Sequence, residues 1–179
     1  EMCLSDEHKG IIDLPEDTKI GTPMAELFGL NDPIIEISLT PDRADCAGIY
    51  GIARDLAASG LGKLKPLDIK DVKGSYESPI KTTLDFDGDT TPCPLFLGRY
   101  VKGVKNGPSP EWLQTKLRAV GLRPISALVD ITNYFSIALC RPLHVFDADK
   151  LKGNIAVRLS KGGETLNGLN DKSYTFDEG

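Results

Sequence analysis

Between Val129 and Asp147 the apolar positions recur first at helical and then at extended spacing. At about 100° per residue, Leu128, Ile131, Phe135, Ala138 and Leu139 share one arc. Thr132 falls at the edge of that arc beside Ser136 and Leu139, and Asn133 lies between Val129 and Ile137. A helix that is apolar most of the way round is expected to be buried. Pro142 blocks its continuation, so Leu143, His144, Val145 and Phe146 are expected to run on as a short extended piece. Buried polar side chains need partners, and Thr132, Asn133 and His144 are therefore candidates to meet at one polar spot in an apolar setting. The plainer alternative is a core imidazole bonded to Asp147, with Thr132 and Asn133 back-bonding or capping.

The same patterning sets out the rest of the chain. Turn residues punctuate the stretch to Asp32, with a short helix from about Thr22 through Leu27. Ile35, Ile37 and Leu39 alternate with Glu36, Ser38 and Thr40, which predicts a strand over 34–40. A helix is expected from Cys46 to about Ser59, capped by Asp45, with Ile49, Ile52, Ala53 and Leu56 inward and Gly60 at its end. The polar link Asp42–Asp45 reads as a capping and salt-bridged connection rather than a catalytic one. Residues 61–79 show no lasting period and read as a linker containing a domain boundary. Strands are expected at 82–86, 93–101, 155–159 and 173–176, with turns at 162–163 and 170–171. Ser109 and Pro110 open a helix with Leu113, Leu117 and Val120 inward and Gly121 as its stop. These elements make an α+β chain.

Composition narrows the class. The chain has 179 residues, 40% hydrophobic, enough for a core. No run of about 18 apolar residues is present to span a membrane, and the acidic start is unlike a secretory leader. Cys3, Cys46, Cys93 and Cys140 are far apart, with only His8 and His144 to assist. That argues against zinc or a disulfide framework and for a cytoplasmic protein with free thiols. The net charge of −5 is uneven: residues 1–62 hold 4 basic and 12 acidic side chains, and residues 63–179 hold 17 and 14. The mildly basic remainder is no nucleic-acid footprint by itself. Asp85, Asp87 and Asp89 alternate as in a calcium loop but lack the glutamate of an EF-hand. Gly163–Leu166 lacks the lysine of a phosphate loop.

Three ordered stretches carry a resemblance: Glu36–Cys46 (EISLTPDRADC), Ser109–Leu113 with Leu122–Pro124, and Asp130–Tyr134 (DITNY) with Arg141–Asp147 (RPLHVFD). In this order and spacing they resemble the bacterial phenylalanyl-tRNA synthetase beta subunit over nearly the whole chain. The resemblance implies three parts: residues 1–33 as the tail of an oligonucleotide-binding insert, 34–79 as a scaffold segment and linker, and 80–179 as the first part of the B3/B4 editing domain. The expected architecture is thus a small strand–helix scaffold segment followed by an incomplete mixed α/β editing domain.

The resemblance implies hydrolysis of tyrosine wrongly attached to the phenylalanine tRNA. A pocket shaped for a phenyl ring rejects an added hydroxyl only weakly, by about a hundredfold for comparable isosteres, so a second site must remove the error. The family's editing histidine falls on His144 and its Thr-Asn pair on Thr132 and Asn133. His144 would position the terminal ribose and the attacking water; Thr132 and Asn133 would fix the ammonium group or the water. Beside Leu143 and Phe146 a desolvated imidazole would stay neutral. The acidic residue that reads the tyrosine hydroxyl is expected beyond Gly179, so the 179 residues alone are expected not to deacylate tyrosyl-tRNA. No cofactor is expected in this stretch; ATP and magnesium belong to the full enzyme by resemblance. The implied partners are phenylalanine tRNA, mischarged tyrosyl-tRNA and the alpha subunit of a heterotetramer. Cys140-Arg141 stands where the family usually has Gly-Gln, and Val145 where Ala is commoner. The competing readings are a tRNA-binding or structural scaffold module without chemistry, and a free-standing deacylase.

Overall fold

A computed structural model describes residues 10–88, 91–168 and 170–179. Cys3, His8 and Asp89 of the readings above lie outside these residues. The chain is α+β, with four α-helices and four short strands among the described residues: α1 Met24–Leu27, α2 Ile49–Ala58, β1 Thr82–Asp85, α3 Glu111–Ala119, α4 Ala127–Leu139, β2 Ile155–Arg158, β3 Thr165–Asn167 and β4 Ser173–Thr175. It divides into two compact units interleaved in sequence. One comprises the described part of Glu1–Asp68 with Lys105–Val145; the other comprises Ile69–Val104 with Phe146–Gly179.

The first unit is helical. α4 packs against both α2 and α3, and Leu113 and Leu117 of α3 are buried with Cys46. Both α2 and α3 end as their glycines predict. Gly60 (φ +83°) and Gly121 (φ +77°) take the left-handed conformation. The Leu61 and Leu122 amides then reach back to the Leu56 and Leu117 carbonyls, satisfying end groups the helix cannot. The start of α2 departs from expectation. Asp45 does not cap it; a 3₁₀ turn covers Ala44–Cys46, and Gly48 is the N-cap without a side-chain bond. Asp45 instead pairs with Arg43 (3.0 Å) and with Arg54, while Arg43 also reaches Asp55 at 2.5 Å.

Two glycines make this junction possible. A Cβ on Gly51 would stand 2.0 Å from the Asp45 carbonyl oxygen, and one on Gly48 would stand 2.5 Å from the Cys140 amide nitrogen. The start of α2 therefore lies backbone to backbone against the end of α4. Cys140 closes α4 in the left-handed region (φ 51°), and its thiol donates to the Ala44 carbonyl at 2.7 Å. Glycine enters that region freely and cysteine does so at a cost, which is the structural content of the Cys140 departure.

The second unit pairs β1 with β2 in parallel, Thr82 opposite Ile155 through Asp85 opposite Arg158. β3 and β4 form an antiparallel hairpin with Leu166 opposite Tyr174. Asn154 accepts from the Lys81 amide at 3.0 Å and ties the start of β1 to the approach of β2.

Further expectations are not met, among them the inward stripe of α2 and the end of that of α3, since Ile49, Leu56 and Val120 are exposed. Residues 34–40 form no strand; Ile35 and Ile37 are 77% and 46% exposed. Alternation alone does not make a strand, because the backbone needs an edge to pair with, and the strands described here belong to the other unit. Residues 93–101 are likewise unpaired chain, with Leu97 83% exposed. Finally, α4 is only partly covered: Ile131 and Phe135 remain exposed, since α2 and α3 occupy only part of its circumference.

The exposed ion pairs are expected to add a modest acid sensitivity to the fold. Hydrogen bonding from Arg43 holds the Asp45 carboxyl at about 2, below its ordinary 3.8. Hydrogen bonding from Arg158, then from the Lys161 amide, holds Glu164 at about 2 against 4.5. A carboxyl whose folded value is depressed adds stability above its unfolded value and loses it as pH falls through the folded one. The melting temperature is expected to hold down to about pH 4.5 and to fall progressively toward pH 2. A thermal melt series across that window checks it. Arg43→Ala and Arg158→Ala together are expected to flatten the slope.

Candidate functional site

The DITNY motif forms the first two turns of α4 and is tied down from outside the helix. Ser126 is the N-cap but makes no side-chain bond. The first donors of α4 are met instead by Asn106 and Gly107: the Gly107 carbonyl accepts from the Ala127 amide at 2.7 Å, and Asn106 Oδ1 from the Leu128 amide at 3.2 Å. Asp130 completes the attachment. It is 1% exposed, accepts from the Ile125 amide at 2.8 Å and receives the Ser109 hydroxyl, itself 5% exposed. Burial of a carboxyl group is costly unless its oxygens are bonded, and both are. Ser109, expected as the cap of α3, thus serves α4; its carbonyl accepts from Gln114 at 2.6 Å. The signal for this pairing is the Asp itself, a strongly polar residue inside an otherwise apolar helix.

Thr132 and Asn133 follow on the next turn, both half-buried. The Thr132 hydroxyl donates to the Val129 carbonyl at 2.6 Å, and Ser136 donates to the Thr132 carbonyl at 2.9 Å. This is the back-bonding open to a threonine within a helix, and it leaves the hydroxyl oxygen available as an acceptor. Tyr134 extends from the same turn to an edge-to-face contact with Trp112, 5.8 Å between ring centres. His144 lies beyond Pro142 in extended chain of the same unit, and it is exposed, as are Leu143 and Val145. The desolvation expected around the imidazole is therefore not present.

Two shallow apolar grooves flank α2. One, about 300 Å³, is lined by Ile49, Tyr50, Leu67, Tyr134, Phe135 and Leu139 among others. The other, about 360 Å³, runs along Tyr50, Leu56, Leu61 and Leu64. Neither is lined by Thr132, Asn133 or His144. One set of potential metal ligands occurs among the described residues, Asp45, Cys46 and Asp55, with ligand atoms within 4.8 Å of one another. Both carboxylates already pair with arginine, and burial pushes the Cys46 thiol up. That is a structural knot and a poor donor set for magnesium, which prefers free carboxylates and water.

Residues 92–179 match the B3/4 domain family. Over the whole chain, relatives carry the name phenylalanine–tRNA ligase beta subunit. That of Cereibacter sphaeroides is 55% identical over 179 residues. That of Rhodopseudomonas palustris is 56% identical over 177 residues, 99% of the chain. That of Brucella abortus is 58% identical over 179 residues, all of the chain. The domain class is therefore B3/4, and it lies within a longer match. Over its whole length the chain is similar to a segment of the phenylalanine–tRNA ligase beta subunit. It spans 22% of the length of these relatives.

Proposed function

We propose that this stretch, within a complete phenylalanine–tRNA ligase, contributes to hydrolysis of tyrosine mischarged onto the phenylalanine tRNA. The observation that carries the reading is whole-chain identity of 55–58% to beta subunits; by the resemblance, the reading assigns the editing roles to Thr132, Asn133 and His144. In this reading residues 1–33 are the tail of the oligonucleotide-binding insert, 34–79 the scaffold segment and linker, and 80–179 the first part of the editing domain. The partners are phenylalanine tRNA, the mischarged tyrosyl-tRNA and the alpha subunit, in the cytoplasm. ATP and magnesium serve the complete enzyme, and no residue of this stretch is assigned to them.

The chemistry asked of these residues is modest. An aminoacyl ester is already activated, so orientation of water against its carbonyl supplies much of the rate. The Thr132 hydroxyl, its proton committed to Val129, presents an acceptor that suits a substrate ammonium or a water proton. Asn133 offers both a donor and an acceptor. His144, being exposed, can meet a tRNA terminus without first opening a core.

A second reading is a tRNA-binding or scaffold module without chemistry, with which the lining of the two grooves beside α2 is consistent, since none of the three residues takes part in it. Steady-state mischarging separates the two. The complete enzyme carrying Thr132→Ala and Asn133→Ala, given tyrosine and ATP, is expected to accumulate tyrosyl-tRNA while charging phenylalanine at an unchanged rate. A module without chemistry predicts no accumulation, and that result would sink the editing reading.

A further inference from the structure

The buried Ser109–Asp130 contact does more than close a polar gap, because of where it sits on α4. Asp130 precedes Thr132 by two residues and Asn133 by three. Its carboxyl is held on one side by the Ile125 amide and on the other by the Ser109 hydroxyl. The Gly107 and Asn106 bonds from the Ala127 and Leu128 amides hold the helix end, and these anchors all come from residues 106–109 or the chain just before the helix. The end bonds limit translation along the axis. The carboxyl, projecting sideways from the helix, limits rotation about it.

We propose that Asp130, held by Ser109 and Ile125, is a positioning residue for editing: it fixes the rotation of α4 and through it the placement of Thr132 and Asn133. This rests on the editing reading given above. The lever is short and the required accuracy high. Side chains reach about 5–6 Å from a helix axis, so a turn of roughly 15° moves a side-chain atom by about 1.5 Å. A misplacement of about 1 Å is enough to cost on the order of a hundredfold in an oriented reaction. Packing against α2 and α3 seats the helix, but Ile131 and Phe135 remain exposed, and the hydrogen-bonded carboxyl adds a directional restraint that apolar contact does not supply.

The test uses the complete enzyme and purified tyrosyl-tRNA of the phenylalanine type, below the melting temperature of every variant. Asp130→Ala and the milder Ser109→Ala are expected to lower kcat for hydrolysis by about tenfold or more, with KM changed by less than about threefold and phenylalanine charging intact. Asp130→Asn keeps an acceptor for Ile125 and a polar partner for Ser109, and is expected to return kcat to within about threefold. Loss of hydrolysis no greater than the loss of folded protein would overturn the proposal. So would an Asn variant as slow as the Ala variant. Thr132→Ala and Asn133→Ala are measured alongside. If those two leave hydrolysis unchanged, the editing reading has failed and the proposal falls with it. If they slow it while both Ser109→Ala and Asp130→Ala do not, the positioning role alone is wrong.

Discussion

Gly51→Ala is expected to destabilise the α2 junction by about 2–3 kcal/mol, against its own helix propensity. Replacing glycine by alanine inside a helix ordinarily gains roughly 0.5–1 kcal/mol. Here the new methyl would stand 2.0 Å from the Asp45 carbonyl oxygen and 2.9 Å from the Cys46 Cα, both backbone atoms. They cannot swing aside as a side-chain tip would. The 3₁₀ turn that holds them is pinned by the Arg43 and Arg54 pairs and by buried Cys46. Overpacking of this kind costs about 1–3 kcal/mol and sometimes more, so the steric penalty exceeds the propensity gain. Amide exchange of α2 in the complete beta chain reads the effect directly: protection is expected to fall by roughly a hundredfold. Gly62→Ala, with nothing within 4 Å of the added carbon, is expected to leave exchange unchanged. Equal protection in both variants would show that the junction is not closely packed.

That junction also marks what the sequence could and could not disclose. Helical periodicity located α2, α3 and α4, although only α3 buries its predicted Leu113 and Leu117 while Ile49, Leu56 and Val120 are exposed; Gly60 and Gly121 end helices for a purely local reason. Gly48 and Gly51 were silent, since their role is the approach of another backbone that no local pattern records. The misreadings share a cause. Residues 34–40 and 93–101 have the alternation or the apolar run of strands, but pairing depends on a distant edge. The short strands β1 and β2 found each other across some seventy residues. Asp45 looked like a cap because it precedes a helix; the arginines of the turn and of α2 competed for it and won. For the site, the residue types and their spacing were legible as a candidate set. The geometry was not: His144 was expected in an apolar setting and is exposed, and Ser109 was expected to cap α3 and instead holds Asp130.

In the complete enzyme, His144→Ala is expected to slow hydrolysis of tyrosyl-tRNA by about ten- to a hundredfold while leaving stability within about 0.5 kcal/mol. Its exposure sharpens the expectation. A buried imidazole would leave a cavity and an unpaired partner, at about 1–3 kcal/mol, and lost folding would mimic lost editing. An exposed one has little packing to lose, so a kinetic effect stands apart from a structural one. The measurement is single-turnover hydrolysis of purified tyrosyl-tRNA by His144→Ala, with the melting temperature and phenylalanine charging of the same preparation. Slow hydrolysis with an unchanged melting temperature and normal charging is the predicted result. Hydrolysis at the unsubstituted rate, or a loss that merely follows a lowered melting temperature, would contradict the assignment of this stretch to editing chemistry.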